Sequence, residues 1–116
     1  MIDKNELLNT YNTSKNRQIE KMHQLRNNYI EPMIDEQLRH AAKRAKTHIE
    51  IDVISMFKAI VRNKSYMHIN DKIILNEVKN LIEDYAKIIT IENIEDLRYI
   101  YDEPNEYKNY IFVIDK

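Results

Sequence analysis

Residues 47–53, Thr-His-Ile-Glu-Ile-Asp-Val, interrupt a region, residues 3–86, in which the apolar residues otherwise repeat with helical spacing. Ile49, Ile51 and Val53 alternate with polar neighbours, which is the two-residue period of a strand with one buried and one solvent-facing side. Helical periodicity precedes this segment and follows it. The sequence therefore predicts an α+β fold, in which a strand is inserted between helices.

Upstream of this strand, a long helix is predicted over residues 3–28. Its apolar stripe is narrow and consists of Leu7, Leu8, Tyr11, Ile19, Met22, Leu25 and Tyr29. Such a stripe suits a helix that packs on one neighbour or on its own copy. Residues 1–30 are therefore predicted to be an oligomerisation element, in a homodimer.

A second helix is predicted from residue 31 or 32 to residue 45. Pro32 is well tolerated in the first turn of a helix, and the alternative is one continuous helix with a kink. The predicted inward-facing residues are Met33, Ile34, Leu38, Ala41, Ala42 and Ala45.

Downstream of the strand, helices are predicted over residues 53–62 and 71–86, with Asp52 and either Asn70 or Asp71 as their caps. The broad stripe of the later helix consists of Ile73, Ile74, Val78, Leu81, Ile82 and Tyr85.

The rest of the chain has strand character, over residues 87–92, 97–101 and 107–114. Pro104 and Asn105 suit a turn between the last two segments. This predicts a C-terminal antiparallel β-hairpin or a three-stranded sheet. We expect one domain over residues 1–116, with an α+β body from residue 31 onward.

The composition excludes several kinds of chemistry, because the 116 residues contain no Gly and no Cys. Without Gly, the phosphate-binding loops of nucleotide enzymes and the nucleophile elbow of hydrolases cannot form. Without Cys there are no thiolate nucleophiles, thiolate zinc sites or iron–sulfur clusters. We expect a protein that is not an enzyme and uses no cofactor.

The sequence also bears on location. No apolar run is long enough to cross a bilayer, and the first residues lack the pattern of an export signal. With no Cys to oxidise, we expect a cytoplasmic protein without a membrane partner.

Charge is unevenly distributed despite a formal net charge of −1. Residues 1–64 carry a net charge of about +4 and residues 65–116 about −5. Such a chain could pair with a copy of itself, bind a basic protein with its acidic end, or bind phosphate with its basic end. Both charged regions could equally be solvated surface without a partner.

The acidic end coincides with aromatic residues in the predicted hairpin. Helices can cover only one face of a hairpin, so some rings should stay accessible and be rimmed by acids. This is typical of a surface for a basic partner protein. The predicted partner-binding residues are Tyr99, Tyr101, Asp102, Glu103, Glu106 and Tyr107.

Nucleic-acid binding is the alternative, because the predicted order of elements follows that of a winged helix. The helix over 71–86 opposes this, since it would present four acids against two bases. Those acids are Asp71, Glu77, Glu83 and Asp84. The better candidates lie in the second helix and just after it: Arg39, Lys43, Arg44 and Lys46.

Histidines offer weaker candidates. Glu36 and His40 are four residues apart on a helix and could share a metal, but no second pair at metal spacing supports them, so no metal is expected. His48, Glu50 and Asp52 lie on one side of the predicted strand, which suits a carboxylate–imidazole pair and equally an ordinary solvent-facing side.

The passage from Ile34 to Ile51 resembles small accessory proteins of tailed phages from AT-rich hosts. It contains a helix ending in Ala41-Ala42-Lys43-Arg44-Ala45-Lys46 that leads into the strand Thr47-His48-Ile49-Glu50-Ile51. The resemblance implies a short intracellular protein, often dimeric, that binds and modulates a host or phage protein, including inhibitors of host defence. We therefore expect a non-catalytic accessory or inhibitor protein in the host cytoplasm, with a basic host or phage protein as its partner.

Overall fold

The computed structural model describes residues 1–63, 69–95 and 108–115, and these form an α+β fold. A long helical region precedes a small sheet and two further helices. The elements are α1 (Lys4–Leu25), a π-helical turn (Arg26–Ile30), α2 (Glu31–Lys43), β1 (His48–Ile51), α3 (Val53–Asn63), α4 (Asp71–Ala86), β2 (Thr90–Glu95) and β3 (Lys108–Val113).

The three strands form one antiparallel sheet in the order β1-β3-β2. Phe112 on the central strand pairs with Ile49 on one side and with Ile91 on the other. A three-stranded antiparallel sheet is thus confirmed, but one of its edges is β1, which the prediction had not included in the C-terminal sheet. The predicted strand over 97–101 lies outside the described residues.

β2 begins at Thr90, not at residue 87 as predicted. The three preceding residues close the end of α4: the backbone N–H of Ile89 donates to the carbonyl of Tyr85 at 2.9 Å. Residues 87–89 have the composition of a strand, but their backbone N–H groups donate to carbonyls of the last turn of α4 and therefore extend the end of that helix.

α1 and α2 form one continuous helical region, so the alternative of a continuous helix is the correct one. Pro32 has no N–H, and its ring would clash with the carbonyl four residues earlier in a regular α-helix. The preceding turn is widened instead: the N–H of Glu31 donates to the carbonyl of Arg26, five residues back.

The π-turn changes which residues face the core. Leu25 and Ile30 are both fully buried although they are five residues apart. In a regular α-helix, two residues five apart would point to different faces. Tyr29 was predicted in the stripe but is exposed, because the wider turn moves it outward. In α2, Met33 and Ala42 are likewise exposed, as is Ala45 beyond the helix, while Ile34 and Ala41 are buried and Leu38 is partly buried.

The core lies between the long helical region, the sheet, α3 and α4. Its largest fully buried side chains come from every one of these elements except β2: Met22, Leu25, Ile30, Ile34, Ile51, Val53, Phe57, Val78, Leu81, Phe112 and Val113. α4 is central to this arrangement, because it packs against α1, α3 and β2.

The first part of α1 extends away from this core. Every residue from 1 to 17 is exposed, including the predicted stripe residues Leu7, Leu8 and Tyr11. We call residues 1–17 the N-terminal arm. Within the part of the chain that the structure describes, no helix has both the length and the apolar character needed to cross a bilayer.

The C-terminal end of α2 places an Ala in a backbone conformation that usually favours Gly. The N–H of Lys46 donates to the carbonyl of Ala41 at 2.9 Å, and the N–H of Ala45 donates to that of Ala42 at 3.0 Å, which is the Schellman pattern. This motif requires a left-handed residue, and Ala45 has φ of 57°. Glycine is preferred there because a Cβ is strained in that region.

We expect Ala45→Gly to raise the free energy of unfolding by about 1 kcal/mol, because removing the Cβ relieves this strain. Urea denaturation measures the change. Ala42→Gly is the matched control: Ala42 is exposed within the last turns of α2, and there the same substitution should lower stability by about 1 kcal/mol. If both variants lose stability, Ala45 is not strained.

Candidate nucleic-acid interface

α4 is a well-defined helix whose side chains divide into a buried and an exposed side. Its N-terminus is capped by Asn70, whose side chain accepts a hydrogen bond from the N–H of Lys72 at 2.9 Å. The predicted core stripe is confirmed, with Ile74, Val78, Leu81 and Tyr85 buried.

The opposite side of α4 faces solvent. Helical spacing places four exposed residues there: Lys72, Asn76, Lys79 and Glu83. We call these four residues the exposed face of α4. It combines two cations and one amide with a single acid, which lies near the C-terminal end of the helix.

The predicted acidic surface of this helix is wrong in part. Glu77 is buried, with only 3% of its surface exposed, and cannot contribute to a solvent-facing patch. Asp84 is exposed but forms an ion pair with Arg26 of the π-turn. Of the four acids, only Asp71 and Glu83 remain for a ligand.

A charge cluster around Arg26 accounts for the position of Glu77. The Arg26 cluster consists of Arg26, His23, Glu31, Glu77 and Asp84. Within it, the Glu77 carboxylate contacts His23 Nδ1 at 2.9 Å and lies 3.7 Å from Arg26 Nη1. Arg26 Nε donates to Glu31 Oε1 at 2.8 Å, and its Nη2 donates to Asp84. The cluster therefore fixes α4 to both sides of the π-turn.

The ion pair between Arg26 and Asp84 shifts the pKa values of both residues in consistent directions. Burial alone would lower the pKa of Arg26, but hydrogen bonds to Asp84 and Glu31 outweigh it and raise that pKa. The hydrogen bond from Arg26 lowers the pKa of Asp84. Arg26 is therefore a permanent cation held by acids of α4 and α2. Arg26 was not among the predicted site residues, although a lone Arg between the apolar Leu25 and Ile30 was a usable signal.

Tyr85 makes a second polar connection between α4 and α2. Its hydroxyl donates to the carboxylate of Asp35 and also lies 3.3 Å from the carbonyl of Glu31. Burial, with the nearby Asp35 carboxylate, raises the pKa of Tyr85. With its ring in the core and its hydroxyl bonded, Tyr85 fixes the C-terminal end of α4.

A groove of about 640 Å³ runs between α1 and the N-terminal half of α4. Tyr11, Lys15 and Gln18 line it from α1, while Lys72 and Asn76 line it from α4. The side chain of Gln18 accepts a hydrogen bond from the N–H of Asn70 at 3.0 Å, so Gln18 of α1 lies beside the N-terminus of α4. We call this the α1–α4 groove.

The basic residues predicted from the second helix lie elsewhere. Arg39, Lys43, Arg44 and Lys46 are all exposed, at and beyond the C-terminal end of α2. Arg44 is 26 residues beyond Gln18 along the helical region, which corresponds to roughly 39 Å. The structure therefore does not place this set beside Lys72, at the start of α4.

The predicted partner-binding residues Tyr99, Tyr101, Asp102, Glu103, Glu106 and Tyr107 lie outside the described residues, and their role stays a prediction. Two other aromatic residues of the C-terminal region are described. Phe112 is fully buried, with its ring centroid 5.6 Å from that of Tyr85. Tyr110 is half-buried, and burial raises its pKa. The ring of Phe112 therefore lies in the core, and the ring of Tyr110 packs against its border.

The predicted histidine sites are exposed and used locally. Glu36 and His40 are both on the surface of α2. His48 Nδ1 lies 2.8 Å from the hydroxyl of Thr47, and Asp52 accepts hydrogen bonds from Ser55 as the cap of α3. Within residues 1–63, 69–95 and 108–115, no three His, Asp or Glu side chains are grouped so that they could hold a metal ion.

No family model, curated protein or solved structure matches this chain.

Proposed function

We propose that the protein is a non-catalytic nucleic-acid-binding protein that uses the exposed face of α4. The observation that carries this proposal is the topology of residues 31–113: α2, β1, α3, α4, β2 and β3, with β3 in the centre of the sheet. This is the order of a winged helix, in which the third helix, here α4, docks in the major groove of DNA.

The chemistry of the exposed face supports the proposal. Lys72 and Lys79 are suited to phosphate contacts, which supply most of the non-specific affinity for DNA. Asn76 lies between them, and an asparagine amide can pair with the edge of an adenine in the major groove. The Arg26 cluster contributes indirectly, because it keeps Glu77 inside and Asp84 paired, away from an approaching phosphate.

Binding of a fluorescein-labelled DNA duplex of mixed sequence, followed by fluorescence anisotropy at several salt concentrations, tests the proposal. We expect Lys72→Ala combined with Lys79→Ala to reduce the slope of log K against log salt by about 2, because each lysine neutralises one phosphate. Arg39→Ala combined with Lys43→Ala is the matched control, since it removes the same charge at the other end of the helical region and should leave the slope unchanged.

Two results would overturn the assignment to α4. If the control pair lowers the slope and the α4 pair does not, the basic end of α2 is the binding surface, with Arg39, Lys43, Arg44 and Lys46 as its residues. If the protein does not bind duplex DNA even at low salt, the winged-helix topology serves another purpose.

Protein binding is the second candidate function, and the charge of about −5 on residues 65–116 favours it. In that case the chain would be an accessory or inhibitor protein, encoded by a phage and acting in the host cytoplasm. It would bind a basic host or phage protein through the acidic, Tyr-rich segment between β2 and β3. Absence of DNA binding by the intact protein would favour this function.

A further inference from the structure

The N-terminal arm presents large apolar residues that are substantially exposed to solvent. Leu7, Leu8 and Tyr11 are 54%, 46% and 59% exposed. Helices of about 12–15 residues are marginally stable in water unless a face is packed on a neighbour. The arm is therefore a helix whose apolar side is suited to burial against another surface.

This apolar side continues the stripe by which α1 packs on α4. Leu7, Tyr11, Gln18, Met22 and Leu25 follow one another at the spacing of a single helical face. α4 lies against the end of that stripe, where Met22 and Leu25 are fully buried, and it begins at the level of Gln18. The apolar stripe of α1 is thus covered by α4 in the second half of the helix and exposed in the first half.

The α1–α4 groove lies where the covered part ends. Ile19 and Ile73 supply apolar lining, and Lys15 and Lys72 supply positive charge. The arm carries the matching apolar stripe, with Glu6 beside it, while Asp3 and Lys4 at its tip have opposite charges. Groove and arm are therefore matched in apolar character, and Glu6 is the acid available to a groove lysine.

We propose that the N-terminal arm of a second copy of this chain occupies the α1–α4 groove, and that the exchange is reciprocal. Antiparallel pairing of two α1 helices about the turn between Tyr11 and Ser14 brings Leu7 of each copy to the level of Gln18 of the other. A two-fold axis then makes both contacts twice, as a closed homodimer requires. Glu6 of each arm then lies at the level of Ile19 of the other copy, near Lys72 at the start of α4.

The arm would cover Lys72 and Asn76, which the proposed nucleic-acid binding also uses, so dimerisation and DNA binding by α4 compete for one surface. Light scattering coupled to size-exclusion chromatography tests the dimer on the full chain without DNA. We expect twice the 14.1 kDa of one chain. Leu7→Asp combined with Leu8→Asp should weaken dimerisation on the order of 100-fold, because it places charges on the apolar part of each arm that enters the facing groove.

Ile88→Asp is the matched control, since Ile88 is also an exposed apolar residue but follows α4, away from the arm. It should leave the dimer intact. A chain that is monomeric at high concentration, or a dimer that Leu7→Asp with Leu8→Asp does not weaken, overturns the proposal. Circular dichroism verifies that the arm variants remain folded.

The absence of Cys allows a direct test of the antiparallel arrangement. Leu7→Cys combined with Gln18→Cys should give a covalent dimer under mild oxidation, whereas either single variant should not. Within one chain these positions are about 16 Å apart along α1, too far for an intramolecular disulfide. A dimer that depends on Leu7 and Leu8 but does not form this cross-link would exclude reciprocal occupation of the groove.

Discussion

Arg26→Met is expected to lower the free energy of unfolding by about 3 kcal/mol, because it leaves the buried Glu77 carboxylate with His23 alone and removes the cation that Glu31 and Asp84 also contact. Arg26 is itself largely buried, with 13% of its side chain exposed, and it holds three acids from α2 and α4. Methionine retains much of the apolar volume, so the loss reports charge and hydrogen bonding. Urea denaturation measures it as a lower midpoint at an unchanged slope.

Two further variants test whether the Arg26 cluster stabilises the fold more than an ordinary surface ion pair does. Lys87→Ala removes the other partner of Asp84, but Lys87 is 74% exposed and should contribute no more than about 0.5 kcal/mol. Glu77→Gln in the Arg26→Met background should recover part of the loss, because an amide does not need a cation. Equal effects of Arg26→Met and Lys87→Ala would show that the cluster does not stabilise the fold.

Phe112→Ala is expected to have the largest effect on stability, a loss of about 4 kcal/mol. Phe112 is fully buried at the centre of the sheet and packs edge-on against Tyr85 at an interplanar angle of 70°. Truncation would leave a cavity between the sheet and α4 that these regular elements cannot easily fill. A loss of this size is a large part of the total stability of a small domain.

Ile111→Ala is the matched control for Phe112, because it removes apolar volume from the next residue of β3. Ile111 points to the other face of the sheet and is only partly buried, between Glu50 and Glu92 of the neighbouring strands. We expect a loss of about 1 kcal/mol. If the two variants lose equal stability, the core does not lie on the Phe112 side of the sheet.

Features set by local patterns were predicted well. The core stripe of α4 and its Asn70 cap follow from helical spacing and from side-chain hydrogen bonding to the first turn, and both are correct. The alternation around Ile49 and Ile51 likewise placed β1. Each of these signals lies within a few residues of the element that it specifies.

Features that depend on distant residues were not predicted. Glu77 appeared solvent-facing, because its partner Arg26 lies 51 residues earlier in the chain. The choice between Tyr29 and Ile30 as the buried residue could not be made from apolar character, since both are apolar and only the π-turn decides it. For the candidate site, the sequence predicted which residues form α4 but not which of its acidic side chains would be buried.

The π-turn has a consequence for how such sequences should be aligned. It contains one residue more than an α-helix needs to carry the stripe from Leu25 to Ile30. A related chain that lacked both this extra residue and the proline at position 32 would keep the same buried side chains in an unbroken helix. A one-residue gap within residues 26–30 is therefore compatible with this architecture, although gaps inside helices are usually rejected in favour of gaps in loops.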